Sequence, residues 1–337
     1  MRIIRTDAEL RTPHLDADLR RLEHDLTVLP DGIGEAAFCD AVGEADLILM
    51  CYTPITARVI AAAPRLRGIV KYGVGIDAID IPAAMARGIP VVNIPDYAEE
   101  TVAEGAFMLM LALARNLTAL DRQMQRVGWA WPELAWLGRD IVGSTVGIIG
   151  LGRIGQSMAR MAGAGFRAEV IAYSPHTPDA VFEATGVRRC ATLHDMLRAA
   201  DFVTVHCVLN EETRHMIAAA EFQVMKRSAC LINVSRGAIV DEQALVAALD
   251  HGQIAGAALD VYGSEPLAVQ GHPLSALFGR DNVILSPHLT FYTAEAMQRL
   301  EAETLARCME ILERRAVTIR SQDPRLRAQR DGVFFTD

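Results

Sequence analysis

Three glycines, Gly150, Gly152 and Gly155, form the pattern G-L-G-R-I-G, whose spacing suits the binding of a pyrophosphate. The pattern follows the apolar run VGIIG and opens a helical stretch, which is the context that such a loop requires. The first glycine permits a tight turn, the second lets the backbone approach the phosphates, and the third lets helix and strand pack closely. The helix amino terminus then faces the phosphates. These residues predict dinucleotide binding, and the alternative is a tight turn without a ligand.

The residue that contacts the adenosine ribose is expected about 20 residues beyond the glycines. Ser174 holds this place, 19 residues after Gly155, at the end of the run AEVIAYS. A serine hydroxyl can hydrogen-bond a ribose, but it carries no charge to repel a 2′-phosphate, and His176 just beyond could contact one. The choice between NAD and NADP is therefore open at this position.

The loop must lie at the end of a strand, and the sequence predicts a series of strands. From Thr145 onward the runs STVGIIG, AEVIAY, DFVTVHC, ACLINV, IAGAALD and NVILS alternate with helical stretches. In the first 95 residues the runs ADLILMC, GIVKY and PVVNI alternate with the helical stretches TARVIAAAP and IPAAMARG. Apolar strands that alternate with helices indicate parallel sheets covered on both faces. The predicted fold class is α/β, with two doubly wound parallel-sheet domains.

Three further segments complete the chain. A helix is predicted from about Ala98 to Ala114, with acidic residues in its first turn. The stretch Leu117–Ile141 contains all three tryptophans and has no strong period, so we interpret it as a connecting arm. A last helix is predicted from Thr293 to about Arg314, and the charged tail after Arg320 is expected to fray.

Composition restricts the class of protein. A length of 337 residues suggests two domains, and the net charge of -9 weighs against a nucleic-acid surface. The longest apolar stretch, Gly105–Ala114, is shorter than the roughly 20 residues that a membrane span needs. The first ten residues do not read as a signal peptide, because Asp7 and Glu9 interrupt them. The six cysteines form no CxxC pair and read as buried thiols in a reducing cytosol, without a metal site. We expect a soluble, cytoplasmic protein with no nucleic-acid or membrane partner.

A series of motifs resembles one family. The motifs of the second half, in family order, are GIIGLGRIGQSMA, ADFVTVHCVLNEETRHMI, LINVSRGAIVDEQAL, GAALDVYGSEPL and NVILSPH. With KYGVGIDAIDIPAA and GIPVVNIPDYAEETVAEGAF in the first half, they make nearly the whole chain similar to the D-isomer-specific 2-hydroxyacid dehydrogenases. This family includes D-lactate dehydrogenases, hydroxypyruvate reductases and phosphoglycerate dehydrogenases, and HLTFYT resembles the D-lactate dehydrogenase branch most.

The resemblance implies a domain organisation. A discontinuous, flavodoxin-like substrate domain would comprise residues 1–98 and 291–337, and a Rossmann cofactor domain would comprise residues 99–290. The active site would lie in a cleft between them, and the cofactor would be NAD, favoured over NADP. The stretch 117–141 would be the arm through which a homodimer forms, which agrees with the enrichment of tryptophan at interfaces.

The resemblance also assigns the catalytic residues: Arg236 from NVSRG, Glu265 from GSEP and His288 from SPH. Reduction of a 2-oxo acid requires a cation for the carboxylate, and a guanidinium offers a planar fork that keeps its charge. It also requires a proton for the new alkoxide, which a histidine can give and take near neutral pH. A glutamate bonded to the far ring nitrogen fixes the tautomer and favours the imidazolium form. The hydride comes from the cofactor.

Further site residues follow from the same resemblance. Arg153 and Ile154 would cover the pyrophosphate, Thr101, Val234 and Ser235 would lie near the nicotinamide, and Asp260 would bond its carboxamide. The remaining cofactor contacts would be Val208, Asn210 and Thr213 with Ser174. In the loop KYGVGID, Gly73, Val74 and Gly75 would offer backbone N–H groups to the substrate carboxylate. Tyr52 and Tyr97 either line the substrate pocket or pack in the core, and Lys71 faces either the substrate or the solvent.

The expected activity is hydride transfer between NAD(P) and a small, anionic 2-oxo or D-2-hydroxy acid. Two alternatives remain. One is an enzyme acting on phosphite or formate, and the other is a dinucleotide-sensing corepressor with the same motifs.

Overall fold

Strands and helices alternate along the chain in the computed structural model, which describes residues 1–336. The chain divides into two units, Met1–Ala98 with Thr293–Asp337, and Glu99–Tyr292. The last residue of the predicted segment 291–337, Asp337, lies outside the described residues. The elements of the first segment are β1 (Arg2–Arg5), α1 (Pro13–Arg21), β2 (Asp25–Val28), α2 (Glu35–Val42), β3 (Leu47–Met50), α3 (Ala57–Ala62), β4 (Gly68–Lys71), α4 (Ile81–Ala86) and β5 (Val91–Asn93).

The second unit begins with two helices and continues as a strand–helix series. Its helices are α5 (Glu99–Ala114), α6 (Leu117–Val127), α7 (Arg153–Arg160), α8 (Asp179–Thr185), α9 (Leu193–Ala199), α10 (Ala219–Val224) and α11 (Glu242–Asp250). Its strands are β6 (Thr145–Ile149), β7 (Glu169–Tyr173), β8 (Arg188–Arg189), β9 (Phe202–Val205), β10 (Cys230–Asn233), β11 (Gly256–Leu259) and β12 (Val283–Leu285). The chain then returns to the first unit through α12 (Ala294–Leu312), β13 (Val317–Ile319), α13 (Pro324–Arg327) and β14 (Val333–Phe335).

The sheet of the first unit has five parallel strands in the order β2-β1-β3-β4-β5. This is the flavodoxin-like doubly wound order. Its central strands β3 and β4 are buried at every residue, as expected when helices cover both faces. In the pairing of β4 with β5, Lys71 lies beside Asn93, so the loop that follows β4 begins next to the end of β5.

The sheet of the second unit has seven strands in the order β12-β11-β10-β9-β6-β7-β8, and every pairing is parallel. Six of them, counted from β6, follow the 3-2-1-4-5-6 order of the Rossmann fold, with β12 added at the edge. The predicted fold class, two doubly wound parallel sheets, is thus confirmed. Ile149 pairs with both Tyr173 and Val205, so the loop after β6 starts at the point where the strand order reverses.

Two sequence predictions were wrong. The stretch Leu117–Ile141 was expected to be irregular, but its first half is the helix α6, which ends at Gly128 in the left-handed conformation. The sequence did not predict this helix, because its apolar face is short and the polar run DRQMQR obscures the helical period. The tail after Arg320 was expected to fray, but it contains α13 and β14, and Leu326 and Gln329 are buried.

Among the described residues, no individual helix has both the length and the hydropathy to cross a bilayer; only α5 and α6, taken together across a bend of 59°, meet those criteria.

Candidate functional site

The three glycines of the loop after β6 have distinct surroundings. Gly150 has a φ of 93°, and a Cβ there would lie 2.6 Å from the backbone nitrogen of Cys207. A Cβ at Gly155 would lie 2.2 Å from the carbonyl oxygen of Gly150, so helix α7 can approach the strand only with glycine at this position. A Cβ at Gly152 would meet no atom within 4 Å. Two glycines therefore serve packing, and the third leaves open space at the amino terminus of α7.

Ser174 follows β7 and its hydroxyl is turned toward this loop. Its Oγ accepts a hydrogen bond from the backbone N–H of Leu151 at 3.0 Å and lies 2.8 Å from Oγ1 of Thr177. Two residues further on, His176 Nε2 lies 3.0 Å from Oε2 of Glu212, and both side chains are well exposed. The residue predicted to face the ribose is therefore bonded to the phosphate loop, and a histidine–glutamate pair lies just beyond it.

The loop after β9 contains three residues predicted to contact the cofactor. Thr213 Oγ1 donates to the carbonyl oxygen of Val208 at 2.7 Å, and Asn210 Oδ1 accepts the N–H of Thr213 at 2.9 Å. The Val208 side chain is 63% exposed. Asn210 and Thr213 thus fix the shape of this loop and leave an apolar side chain on its surface.

The other predicted cofactor residues lie on different elements of the second unit. Arg153, the first residue of α7, pairs with Glu99 at 3.0 Å, and Ile154 beside it is half-buried. Thr101 is buried on α5 and Val234 is buried directly after β10. Ser235 donates its hydroxyl to the carbonyl oxygen of Cys207. The loops after β6, β9 and β10 therefore meet at the carboxyl edge of this sheet.

His288 and Glu265 form a direct pair. His288 Nδ1 lies 2.7 Å from Glu265 Oε2, and Glu265 Oε1 accepts the backbone N–H of Tyr262 at 2.9 Å. Burial of the Glu265 carboxyl would raise its pKa, but the hydrogen bond and charge of His288, with the Tyr262 N–H and Arg236, together hold that pKa below its usual value. Glu265 is consequently ionised at neutral pH, with its carboxylate directly beside the His288 ring.

Asp260 anchors the backbone that carries His288. Its carboxylate accepts the N–H groups of Leu289 at 3.0 Å and Thr290 at 2.9 Å, and the Thr290 hydroxyl at 2.6 Å. Asp260 is completely buried, and His288 itself has a φ of 58°, which is uncommon for a residue with a side chain. The bonds to the next two residues hold the histidine in this conformation. The sequence suggested only a carboxamide contact for Asp260 and missed this role.

Arg236 is placed by its neighbours in the turn after β10. Asn233 closes the turn, since its Nδ2 donates to the Arg236 carbonyl oxygen at 2.9 Å and its Oδ1 accepts the N–H of Ser235 at 3.1 Å. A Cβ at Gly237 would lie 1.9 Å from the carbonyl carbon of Tyr262. The glycine therefore lets the arginine-bearing turn contact the segment that contains Glu265, and the charge of Arg236 reaches that carboxyl. The second unit thus brings Arg236, Glu265 and His288 into one group.

The first unit contains the loop Gly73–Asp77, which the sequence predicts to bind the substrate carboxylate and which we therefore call the substrate loop. Gly73 has a φ of 150°; its N–H donates to the Lys71 carbonyl oxygen, and its carbonyl oxygen accepts the Ile94 N–H, both at 3.0 Å. Asn93 Nδ2 donates to the Val74 carbonyl oxygen at 2.6 Å. The carbonyl groups of Gly73 and Val74 are thus both held by the end of β5, which fixes the loop. The N–H groups of Val74 and Gly75 donate to no protein atom among residues 1–336. Asn93 was not predicted, although its place at the end of an apolar strand could have marked it.

The structure excludes one of the two alternatives that the sequence left open for Lys71, exposure to solvent. It does not face solvent, since it is 5% exposed, and its Nζ donates to the carbonyl oxygen of Cys51 and lies 3.2 Å from the Cys51 thiol. A Cβ on Gly73 would lie 3.2 Å from that Nζ, so the ammonium lies against the start of the substrate loop. Within the described residues no carboxylate lies within 4 Å of it, and a buried ammonium without a counter-ion is costly.

The two predicted pocket tyrosines differ in exposure. The Tyr52 ring is 44% exposed and lies 5.3 Å from Lys71 Nζ, whereas Tyr97 is 7% exposed and its carbonyl oxygen accepts from Arg299 Nε. Tyr52 is therefore accessible to a ligand on this unit, while the buried Tyr97 has the surroundings of a core residue.

The second unit fits a dinucleotide. The space over Gly152, the free approach to the amino terminus of α7 and the switch in strand order at this loop are the features that a pyrophosphate requires. Across residues 1–336, no three histidine, cysteine, aspartate or glutamate side chains are grouped as metal ligands.

Comparisons with known proteins give the same picture. Residues 107–290 match the family described as D-isomer specific 2-hydroxyacid dehydrogenase, NAD binding domain. The chain is 41% identical over 270 residues to the glyoxylate reductase of Korarchaeum cryptofilum, covering 80% of this chain and 78% of that protein. It is 39% identical over 268 residues to the D-3-phosphoglycerate dehydrogenase of Methanocaldococcus jannaschii, covering 79% of this chain and 50% of that protein. The crystal structure of D-lactate dehydrogenase from Aquifex aeolicus complexed with NAD and lactic acid aligns with a TM-score of 0.81 at 27% identity, covering 92% and 95% of the two chains.

Proposed function

Because the chain belongs to the D-isomer specific 2-hydroxyacid dehydrogenase family and is a nicotinamide dinucleotide-dependent oxidoreductase of that kind, we propose that it reduces a small 2-oxo acid with His288 as the proton donor. The contact of His288 Nδ1 with Glu265 Oε2 at 2.7 Å carries this proposal. An ionised glutamate on one ring nitrogen leaves the other nitrogen, Nε2, to give its proton to the substrate oxygen.

Each residue of the catalytic group has one task in this reaction. Arg236 binds the carboxylate of the substrate through its guanidinium fork and orients the ketone. His288 protonates the ketone oxygen as it gains negative charge, and Glu265 balances the imidazolium charge before transfer. The bound nicotinamide supplies the hydride. In the direction of oxidation, neutral His288 takes the hydroxyl proton back.

We propose that residues 99–290 bind the dinucleotide and that residues 1–98 with 291–337 bind the substrate. The family match over 107–290 supports the first assignment. Two features of the substrate loop support the assignment of the substrate to residues 1–98 with 291–337. The N–H groups of Val74 and Gly75 have no acceptor among residues 1–336, and the buried ammonium of Lys71 lies nearby. An anionic group bound there would accept hydrogen bonds from both N–H groups and would balance the charge of the ammonium. Of the two cofactors we propose NAD. The Glu212 carboxylate, bonded to His176 two residues beyond Ser174, supports this choice, because its negative charge would oppose a 2′-phosphate bound near Ser174.

The substrate proposed first is glyoxylate, with hydroxypyruvate and pyruvate next. The glyoxylate reductases to which the chain is similar support this order. The exposed ring of Tyr52 next to Lys71 suits a short side chain better than a long one. Substrate carboxylates would be required, because donors built to bond a group reject analogues that lack it.

A panel of 2-oxo acids tests the proposal. Glyoxylate, hydroxypyruvate, pyruvate and 3-phosphohydroxypyruvate are each offered with NADH and with NADPH, and the aldehyde acetaldehyde serves as the control without a carboxylate. We expect kcat/KM to be highest for an unphosphorylated acid with NADH and negligible for acetaldehyde. Equal turnover of acetaldehyde and glyoxylate would refute carboxylate recognition. Turnover of phosphite or formate alone, or binding of NADH without any turnover, would refute the proposed reaction.

We also propose a homodimer held by the arm 117–141. The arm exposes large apolar side chains: Trp131 is 71% exposed, Leu134 89% and Leu137 73%. Such side chains in one short segment are typical of an interface rather than of a free surface. Light scattering at micromolar concentration measures the mass; a monomer there would contradict the proposal, and Leu134→Asp is expected to convert a dimer to monomers.

A further inference from the structure

We propose that the carboxyl-terminal segment, residues 317–336, positions the substrate loop, and that Gln329 and Arg325 make the contacts responsible. The inference rests on the proposed function in one respect, that the substrate loop binds the anionic end of the substrate. The segment contacts the loop region at two places, through the neighbouring strand β5 and through Asp77 at the loop's end.

The first contact is made by the Gln329 side chain, which is 2% exposed. Its Oε1 accepts the N–H of Val91 at 2.7 Å, and its Nε2 donates to the carbonyl oxygen of the same residue at 2.8 Å. The amide thus bonds β5 as a neighbouring strand would. A buried amide that makes both bonds to one backbone residue fixes that residue in two directions.

The strand β5 transmits this contact to the loop. Asn93 lies two residues after Val91, is 4% exposed and donates its Nδ2 to the Val74 carbonyl oxygen at 2.6 Å. The next residue, Ile94, donates its N–H to Gly73 at 3.0 Å. The carbonyl groups of Gly73 and Val74 are therefore held by the end of β5. With those carbonyls fixed, the N–H groups of Val74 and Gly75 are fixed in the opposite direction.

The second contact is made by Arg325. Its Nη1 lies 3.2 Å from Asp77 Oδ1. Asp323 holds the same guanidinium from the other side, with Nε at 3.0 Å from Oδ1 and Nη2 at 2.7 Å from Oδ2. A guanidinium held by a bidentate carboxylate has little freedom left, so Arg325 presents one fixed donor to the end of the loop. Arg320, 3.7 Å from Asp96, adds a weaker contact beside Tyr97.

A purely stabilising tail would differ from a positioning element in what its loss changes. If the tail only adds stability, its variants melt earlier but bind substrate with an unchanged KM. If the tail positions the loop, its variants raise the KM of the 2-oxo acid, while kcat at saturation and the Kd of NADH stay close to those of the native protein.

The experiment uses the full-length chain with Gln329→Met, which keeps the side chain's length, and Arg325→Ala, with Arg325→Lys as the conservative variant. Arg315→Ala is the matched control, because Arg315 is exposed and pairs with Glu313. Hydrogen exchange of the peptide spanning residues 73–80 is measured first, without substrate. KM and kcat for the preferred 2-oxo acid and the Kd of NADH follow.

We expect faster exchange in residues 73–80 in both test variants and native exchange in Arg315→Ala. KM should rise about twofold to fivefold in Arg325→Ala, as for a partly exposed ion pair, and about tenfold in Gln329→Met, with partial recovery in Arg325→Lys. Native exchange in residues 73–80 and native KM in both variants would overturn the inference. Faster exchange in a protein that reduces no 2-oxo acid would uphold the positioning role and refute the proposed function instead.

Discussion

The hydroxyl of Ser174 accepts a hydrogen bond from the backbone N–H of Leu151 at 3.0 Å, so the residue at the expected ribose position is tied to the phosphate loop. Leu151 lies between the first two glycines of that loop. The serine therefore acts on the shape of the loop that receives the pyrophosphate, which both NAD and NADP carry.

Ser174→Ala should consequently weaken the binding of both dinucleotides to the same extent. The loss of one net hydrogen bond of about 0.5–1.5 kcal/mol corresponds to a roughly 2- to 10-fold rise in Kd. Fluorescence titration with NADH and NADPH measures the two constants. A rise for only one of the two cofactors would show that Ser174 contacts the ribose and not the loop.

The choice of cofactor should depend instead on Glu212. Its carboxylate is bonded to His176 at 3.0 Å, two residues beyond Ser174, and on the proposed function its negative charge would oppose a 2′-phosphate there. Glu212→Gln is expected to tighten NADPH by roughly 3- to 10-fold at low salt and to leave NADH nearly unchanged, with the gain shrinking as salt is added. Glu183→Gln, an exposed acid on α8, is the control for net charge. An equal gain in both variants would contradict the assignment.

The pair of His288 and Glu265 makes a prediction about pH. Because the pKa of Glu265 is held below its usual value, this carboxylate keeps its charge throughout the neutral range. Glu265→Gln removes the negative charge beside the imidazole, so the alkaline fall of kcat/KM for reduction should move to lower pH. His288→Ala should lower kcat by about 10²- to 10⁴-fold without loss of fold. An unchanged pH profile in Glu265→Gln would remove Glu265 from the proton transfer.

Replacement of Lys71 should weaken substrate binding without lowering the stability of the fold. Replacing a buried, uncompensated ammonium with an apolar side chain of similar length is often neutral or stabilising, so Lys71→Met should melt at or above the native temperature. Its KM for the 2-oxo acid should nevertheless rise roughly 10- to 100-fold, as for the loss of one charge-assisted contact. Cys51→Ala, which removes the thiol 3.2 Å from Nζ but keeps the ammonium, is the matched control. A lower melting temperature with native KM would mean that Lys71 serves the core only.

Asp201 should contribute to stability in a pH-dependent way. Burial would raise its pKa, but the Thr145 N–H at 2.9 Å, Lys226 at 3.0 Å and Arg139 at 3.1 Å together lower it. With the folded pKa below the unfolded value of about 3.9, the contribution is present above that value and is lost as the pH falls through the folded pKa.

Asp201→Asn should therefore lose about 1–3 kcal/mol of unfolding free energy at pH 7. Urea unfolding of native protein and variant is compared at pH 7, 4 and 3. The difference should shrink toward acid pH; a difference that grows as the pH falls would contradict the sign.

The sequence predicted best where a residue's role depends on its immediate neighbours. The glycine loop, the alternating strands and the order of the motifs are local patterns, and the two sheets follow from them. The sequence predicted no individual helices or strands in the first 44 residues. The strands β1 and β2 are only four residues long, and β2 is partly exposed, so neither gives a clear apolar run.

Roles that depend on distant parts of the chain could not be predicted. Gln329 meets Val91 across 238 positions, and Arg325 meets Asp77 across 248. No local period marks such pairs. The sequence left two alternatives open for Lys71, because its burial depends on a contact with the carbonyl oxygen of Cys51, 20 positions earlier.

The bidentate amide of Gln329 has a consequence for the behaviour of the protein in concentrated solution. Strand β5 is at the end of its sheet, and a sheet edge with unpaired N–H and C=O groups recruits strands from other molecules. The Gln329 side chain bonds both the N–H and the C=O of Val91. Unlike the backbone of an added strand, a side-chain amide offers no further edge on which another strand could pair. We therefore expect proteolytic loss of the carboxyl-terminal segment to expose this edge and to promote aggregation.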